Sequence, residues 1–381
     1  MTLYLDNAAT TWPKPDRVYE AVQHAMREVG ASPGRAAHRH AREASDIVTA
    51  TREKVARLLG IPDAEAVIFT KNATESINLV LKGWLRPGDR VIFSGMEHNA
   101  VVRPVERLKL VGVEAEVIPC TSSGLLDLEL FRKKVAARPR LAVLNHASNV
   151  NGGIQPVARV AELCSDAGVP LLLDVAQTAG VQPVSAKDLN LGMLACSGHK
   201  GLLGPSGMGL LYIRPDLDVL PLMEGGTGSR SEDALQPDCT PDRYESGTLN
   251  LPGIAGLGAG IDFILERGIA SIRDHELELA FFLEDGLNRM SGVSVYRPAE
   301  RGTGTVSFTV EGLNPGDVGY LLDEAFDIAV RTGLHCAPLA HETLGSFPQG
   351  TVRVSPGIFT RMEEMEYFLK SLRSLLMTRR R

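Results

Sequence analysis

The stretch PLLLDVAQTAG, residues 170–180, runs three leucines into an aspartate, then into a glutamine and a glycine. Leu171, Leu172 and Leu173 leave no polar side chain for either side of an extended chain. A run of this length, opened by a proline and closed by turn residues, reads as a strand buried on both faces. Working outward, six more runs have the same character, namely AVIFT (66–70), RVIFSG (90–95), EAEVIPC (114–120), LAVLNHA (141–147), MLACSG (193–198) and GMGLLYI (207–213). Helical patterns such as ATESINLVLKGWL (73–85) and PVARVAELCSDAG (156–168) separate most of them. Apolar strands linked by helices predict an α/β fold with a seven-stranded, mostly parallel sheet covered on both faces.

Two more helices, near 15–29 and 41–59, precede this unit. After about residue 255 the pattern changes: GTVSFTV (304–310) and TVRVSPG (351–357) read as strands of a smaller α+β layer, and RMEEMEYFLKSLRSLLM (361–377) as a closing helix. A chain of 381 residues exceeds the size at which one core stops growing. Pro252 and Gly253 interrupt both patterns in NLPGIAG (250–256). The expected division is therefore 14–254 for the large unit, with 1–13 and 255–381 forming the small one.

The net charge of −6 argues against a nucleic-acid or anionic-membrane partner. No stretch reaches the roughly 18 consecutive apolar residues of a membrane span, and the first residues lack a signal-peptide pattern. The cysteines at 120, 164, 196, 239 and 336 form no Cys-x-x-Cys pair, which disfavours a zinc site or a disulfide framework and leads us to expect no metal and a cytoplasmic setting.

Ligands of doubly wound sheets bind beyond the carboxyl ends of the strands. Four such ends carry polar groups. Asp174 closes its strand with Gln177 three residues on; alone, such an acid would be a helix cap. Lys200, in ACSGHKGLLGPSG, sits at a crowded glycine-rich end where packing gives it no purpose and a lowered pKa would make it a nucleophile. Thr74 lies where a strand turns into a helix whose amides can take an anion. His98 follows another strand in SGMEHNA. An amine, an acid, an anion-binding helix start and a flat imidazole are together what pyridoxal phosphate requires.

These motifs, with LDNAATTWPKP (5–15), SNVNGG (148–153), YESGTLN (244–250) and RTGLHCAP (331–338), resemble the class V aminotransferase family of fold type I, in its cysteine desulfurase and selenocysteine lyase branch. The resemblance spans almost the whole chain. It implies that Lys200 takes the cofactor's aldehyde, Asp174 partners the pyridinium nitrogen, Gln177 bonds the phenolic oxygen, and His98 stacks on the ring and relays protons. Thr74, Ser197 and His199 would hold the phosphate, and Thr248 would reach the phosphate of a neighbouring subunit, making a homodimer. Asn149 and Arg353 would hold the substrate α-carboxylate, Arg353 through its planar fork; the alternative for Arg353 is a strand-edge arginine facing water.

Three departures touch the mouth of the site. Leu334 stands where relatives often have a second histidine, the N-terminal loop reads ASPGRAAHR (31–39), leaving Arg35 without an assigned role, and EGGTGSRSED (224–233) replaces a hairpin. The role of His341 is also open.

A nicotinamide oxidoreductase is excluded because GIAGLGAGIDF (253–263) fails the Gly-x-Gly-x-x-Gly spacing and follows no buried strand. His335, His341 and Cys336 lack both helical spacing and a carboxylate, so a metal hydrolase fails too. The resemblance implies L-cysteine or L-selenocysteine as substrate, alanine as product and Cys336 as the residue that takes the sulfur as a persulfide. An acceptor protein would carry it on to sulfur-containing cofactors or iron–sulfur clusters. His335 and Arg331 are the sequence neighbours expected to favour the thiolate. Selenocysteine lyase and a true class V aminotransferase remain open alternatives; the latter would need no cysteine at 336.

Overall fold

The computed structural model describes residues 2–34, 38–298 and 302–379, so Arg35 lies outside the described residues. A short strand β1 (Leu3–Tyr4) leads into α1 (Asp16–His24), which continues as a π-helical turn over Ala25–Val29, and then α2 (Arg39–Leu59). Strands and helices then alternate as β2 (Val67–Thr70), α3 (Ala73–Trp84), β3 (Arg90–Ser94), α4 (Asn99–Lys109), β4 (Glu114–Ile118), α5 (Leu128–Val135), β5 (Leu141–Asn145), α6 (Val157–Ala167) and β6 (Leu171–Asp174). β7 (Met193–Ser197) and β8 (Gly209–Ile213) complete this part. The rest comprises α7 (Leu251–Arg267), α8 (Ile269–Asn288), β9 (Val293–Tyr296), β10 (Val306–Val310), α9 (Pro315–Phe326), β11 (Ile328–Ala329), β12 (Arg331–Gly333), α10 (Pro338–Leu344), β13 (Thr351–Val354) and α11 (Met362–Arg379).

The seven expected strands form one sheet in the order β2-β8-β7-β6-β5-β3-β4, with β8 antiparallel to both neighbours and the other pairs parallel. Period-2 alternation sends Ala142, Leu144, Leu171 and Leu173 into the core under α2, α6 and α7, while Leu141, Val143, Leu172 and Ala195 enter the core under α3 and α4. Both faces are apolar because both are covered, and each fully buried leucine contributes about 1.5–3 kcal/mol. From β3 the sheet grows outward to β4 and then back through β5, so the strand order reverses between β3 and β5. That reversal opens a crevice at the carboxyl ends.

A second sheet, β12-β13-β10-β9, is antiparallel, and β1 pairs with β11 in parallel. Leu3 and Leu5 share a core with Leu283, Phe308, Val352 and Phe368. The interruption expected at Pro252 and Gly253 is instead a helix start. Asn250 Oδ1 caps Gly253 N, and Pro252 sits in the first turn of α7, where its missing N–H goes unused. Leu257, Ile261 and Ile264 of α7 pack into the core of the large sheet. Among the described residues no helix is long and apolar enough to cross a membrane.

Candidate active site

Two turns beyond the large sheet are locked together by glycines. A Cβ at Gly201 would lie 2.5 Å from the carbonyl oxygen of Ala179, and one at Gly180, which has φ +85°, would lie 2.3 Å from that of Gly201. Only glycine permits this approach, and it fixes the turn that follows Asp174 at the end of β6 against the turn after β7, bearing Lys200. The Asp174 carboxylate is buried and accepts from Ala176 N at 2.9 Å. Burial raises its pKa, opposed by that hydrogen bond and by Lys200. Burial lowers the pKa of Lys200, with Asp174 opposing. The Lys200 amine donates to no described residue, so it is free for chemistry.

His98 caps α4, its Nδ1 accepting from Ala100 N at 3.0 Å. Burial, followed by Lys200 and Arg331, brings its pKa down to about 4. The ring is therefore neutral near pH 7 and carries its proton on Nε2. At the start of α3, Asn72 Oδ1 accepts from Glu75 N, and Ser197 Oγ accepts from Ala73 N at 3.2 Å. Thr74 follows at the second helical position. Thr74, His98, Asn149, Asp174, Gln177, Ser197 and Lys200 line one pocket. Gln177 Nε2 donates to Ala8 O at 3.0 Å, which ties the N-terminal segment to the cavity wall. His199 lies beside Lys200 with a buried Nδ1 that has no partner. Thr248 is exposed and lines a different depression, with Phe69, Met208 and Met223.

Arg353 is not at a sheet edge. It stands on β13 between β12 and β10, 1% exposed, with Nη2 on Asp6 Oδ1 at 2.5 Å and Nη1 on Asn149 O at 3.1 Å. Its Nε is buried and unpaired. Asn149 Nδ2 donates to His335 O at 2.7 Å. Asp6, 347 positions from Arg353, is a residue that sequence reasoning misses; its one signal is its place in LDNAATTWPKP.

At the rim, His335 and Cys336 have φ of +48° and +58°, and the Cys336 side chain is exposed. Asn99 N, the first residue of α4, donates to Cys336 O at 2.8 Å. Arg331 Nη2 approaches Cys336 Sγ at 3.6 Å. His335 does not take the thiolate-favouring role expected of it. Its buried ring bonds Thr351 Oγ1 through Nε2 at 2.9 Å, and burial, with Arg353, lowers its pKa to about 2. An uncharged ring turned away from the sulfur cannot stabilise a thiolate. His341 is also buried, with Nδ1 2.7 Å from Ser346 Oγ. The 224–233 segment is irregular and is held by Gln236 Oε1 on Gly225 N and by a bond between Ser229 and Asp242.

Residues 3–368 match the family described as aminotransferase class-V. The chain belongs to that family. A probable cysteine desulfurase of Methanothermobacter thermautotrophicus is 34% identical over 98% of this chain and 94% of its own length. A cysteine desulfurase of Pectobacterium atrosepticum is 34% identical over 98% of this chain and 92% of its own. Among solved structures, the apo cysteine desulfurase of Thermococcus onnurineus superposes with a TM-score of 0.92 at 36% identity, covering 98% of this chain and 94% of that one. The Escherichia coli cysteine desulfurase CsdA in its S-sulfonic acid form superposes at 0.90 with 30% identity, covering 99% and 95%. These neighbours are fold type I enzymes, and the class-V family depends on pyridoxal phosphate. The cavity suits that group: it offers a free amine, a buried carboxylate, a neutral flat ring and hydroxyls at a helix start.

Proposed function

We infer that the protein is a pyridoxal-phosphate-dependent cysteine desulfurase that converts L-cysteine to L-alanine. The observation that carries this is the exposed Cys336 thiol, with Arg331 at 3.6 Å and its backbone tied to the helix that His98 caps. In this reading Lys200, Asp174, Gln177 and His98 hold the cofactor's ring, while Thr74, Ser197 and His199 hold its phosphate. Bound there, the cofactor supplies a sink for electrons released at the substrate Cα. Lys200, whose pKa burial lowers, removes the Cα proton from its place beside Asp174. Arg353, and the second N–H of Asn149, receive the substrate carboxylate. The Cys336 thiolate then attacks the substrate sulfur: an S–S bond forms, the Cβ–S bond breaks, and its electron pair stays on carbon and is protonated to give alanine.

The exposed Thr248 is read as completing a phosphate site in a second copy, so the working unit is a homodimer. A sulfur-acceptor protein takes the persulfide from the rim for cofactor or iron–sulfur cluster assembly. The cofactor-holding unit is read as residues 14–254 extended through the end of α7 at Arg267, whose Leu257, Ile261 and Ile264 pack under the large sheet, and 1–13 with the residues after α7 as the unit that brings Arg353 and Cys336.

Wild type and Cys336→Ala are to be compared on L-cysteine and L-selenocysteine, with alanine and protein persulfide measured. Loss of cysteine desulfuration with the cofactor still bound is the expected result. Full cysteine activity in the variant makes Cys336 a bystander; retained activity on selenocysteine alone identifies a lyase, since selenium leaves without a thiolate's help.

A further inference from the structure

Glu97 precedes His98 in the turn between β3 and α4, and nothing in the mechanism above uses it. It is 0% exposed and has no ion-pair partner among the described residues. One carboxyl oxygen, Oε1, accepts from Ser94 Oγ at 2.6 Å and from Asn145 N at 2.9 Å. The other, Oε2, is buried with no partner, and so is Oδ1 of the same Asn145. The Asn145 Nδ2 is already spent on Met96 O at 2.9 Å. Two bare acceptors therefore remain on residues already joined by a hydrogen bond, with no donor for either among the described residues.

Behind them stands a second acid. Asn145 ends β5 in register with Asp174 at the end of β6, and His146 N donates to Asp174 O. Two buried carboxylates at one strand end repel each other, and each loses its hydration. Burial, with Asp174 adding to it, brings the Glu97 pKa up to about 7. Cys120 also senses the Glu97 charge, and burial holds its thiol up at about 12, so it stays neutral and adds no further anion. His98 and His146 are held at about 4, mainly by burial, and stay neutral.

We propose that Glu97 is kept as a neutral carboxylic acid whose Oε2–H bonds Asn145 Oδ1. As a positioning residue, it leaves Asp174 to carry the single negative charge that faces the cofactor's ring nitrogen. Placing the proton on Oε2 satisfies both orphans at once, because Oε1 already accepts twice. Two neighbouring acids with pKa values pushed apart take different roles. The second half of the proposal rests on the reading of Asp174 given above.

Infrared spectroscopy of the apoenzyme carrying carboxyl-labelled glutamate tests the first half at pH 6. A protonated-carboxyl stretch that disappears in Glu97→Gln is the expected result; the absence of any Glu97-dependent band overturns the proposal. The glutamine keeps the Oε1 acceptor and offers Nε2–H to Asn145, so it mimics the neutral acid. A raised folded pKa gives stability that is full below the unfolded value and lost as pH rises through 7. The melting temperature of apo Glu97→Gln therefore rises relative to wild type between pH 5 and pH 8. No such relative rise would mean that Glu97 is ionised in the fold.

With cofactor bound, Glu97→Gln keeps the wild-type pH dependence of the cofactor's absorbance below pH 7, where the wild-type carboxyl is still protonated, while Glu97→Ala, which strands Asn145 N and Ser94, moves it. A shift in the glutamine variant by more than about half a pH unit shows that Glu97 acts as an anion and refutes the neutral role. Asp174→Asn separates the two readings. If it leaves the absorbance unchanged while the apo infrared band is present, the Asp174 reading falls and takes the positioning role with it, but the neutral Glu97 stands.

Discussion

The end of the large sheet and the rim turn that carries Cys336 are built by opposite means. Asp174 and Lys200 issue from adjacent parallel strands in ordinary backbone conformations, and paired glycine contacts press their turns together. His335 and Cys336 are consecutive non-glycine residues in the left-handed region, each costing of order 1–3 kcal/mol. What holds them comes from elsewhere: Asn149 on His335 O, Asn99 on Cys336 O and Thr351 on the His335 ring. Each such bond contributes about 0.5–1.5 kcal/mol, so the rim has little margin. A sheet end is set by many side chains and tolerates little change in geometry, whereas a clamped turn can be altered one bond at a time.

The comparison predicts graded effects. The largest is at the sheet end. Lys200→Ala leaves the fold intact, abolishes covalent attachment of the cofactor, and lowers turnover by at least about 10²–10⁴-fold, as loss of the proton-transfer group requires. Visible absorbance and alanine release check it, and substantial turnover by the variant would remove Lys200 from its assigned role. Between the two regions stands Arg353. Arg353→Lys keeps the charge beside Asp6 but loses the planar fork, so KM for L-cysteine rises about 10–100-fold, the worth of one bond to a charged group. If kcat falls while KM stays, the guanidinium is organising Asp6 and Asn149 and is not receiving substrate.

The same contrast explains what is legible in the sequence. The seven strands follow from runs such as Leu171–Leu173, and Asp174, Lys200, His98 and Thr74 follow from polar residues at their ends, because a strand end projects its residues into the crevice whatever surrounds it. Asp6 on Arg353 and Asn99 on Cys336 depend on pairs far apart in sequence and have no local pattern. Glu97 stands next to His98, but its meaning lies in the unpaired oxygen of Asn145, on another strand. Pro252 misleads because proline is tolerated in a first helical turn as well as in a break. His335 misleads because neighbours along the chain need not be neighbours in space: at positive φ the two side chains part, the ring inward and the thiol outward.

The clamp itself is tested with a smaller change. Asn99 is the first residue of α4, a position that accepts proline, and His98 before it has φ −70° and ψ 156°, as a residue preceding proline requires. Asn99→Pro thus removes the N–H that holds Cys336 O while keeping the helix. Cysteine turnover should fall about 3–10-fold with cofactor absorbance unchanged. An equal loss in cofactor binding would mean that the rim and the sheet end are one cooperative unit, and the comparison would fail.

The smallest effect is expected at His335, where a sequence neighbour of the thiol proves to be a structural ring. Its pKa of about 2, set first by burial, keeps it uncharged throughout the working range. His335→Asn therefore leaves the shape of the pH–rate profile between pH 5 and pH 9 unchanged, and an acid limb displaced by a full unit would show that the ring titrates during turnover. The variant does lose stability near neutral pH, by about 1 kcal/mol for the bond to Thr351. The sign of its pH dependence follows from the depressed pKa. The unfolded imidazole takes a proton near pH 6.5 and the folded one does not, so the stability associated with the neutral ring is full above 6.5 and is lost as pH falls toward 2. Asparagine does not titrate, so the gap in melting temperature between wild type and variant narrows from pH 7.5 to pH 5. A gap that widens on acidification would mean that His335 is charged in the fold, in place to serve Cys336 after all.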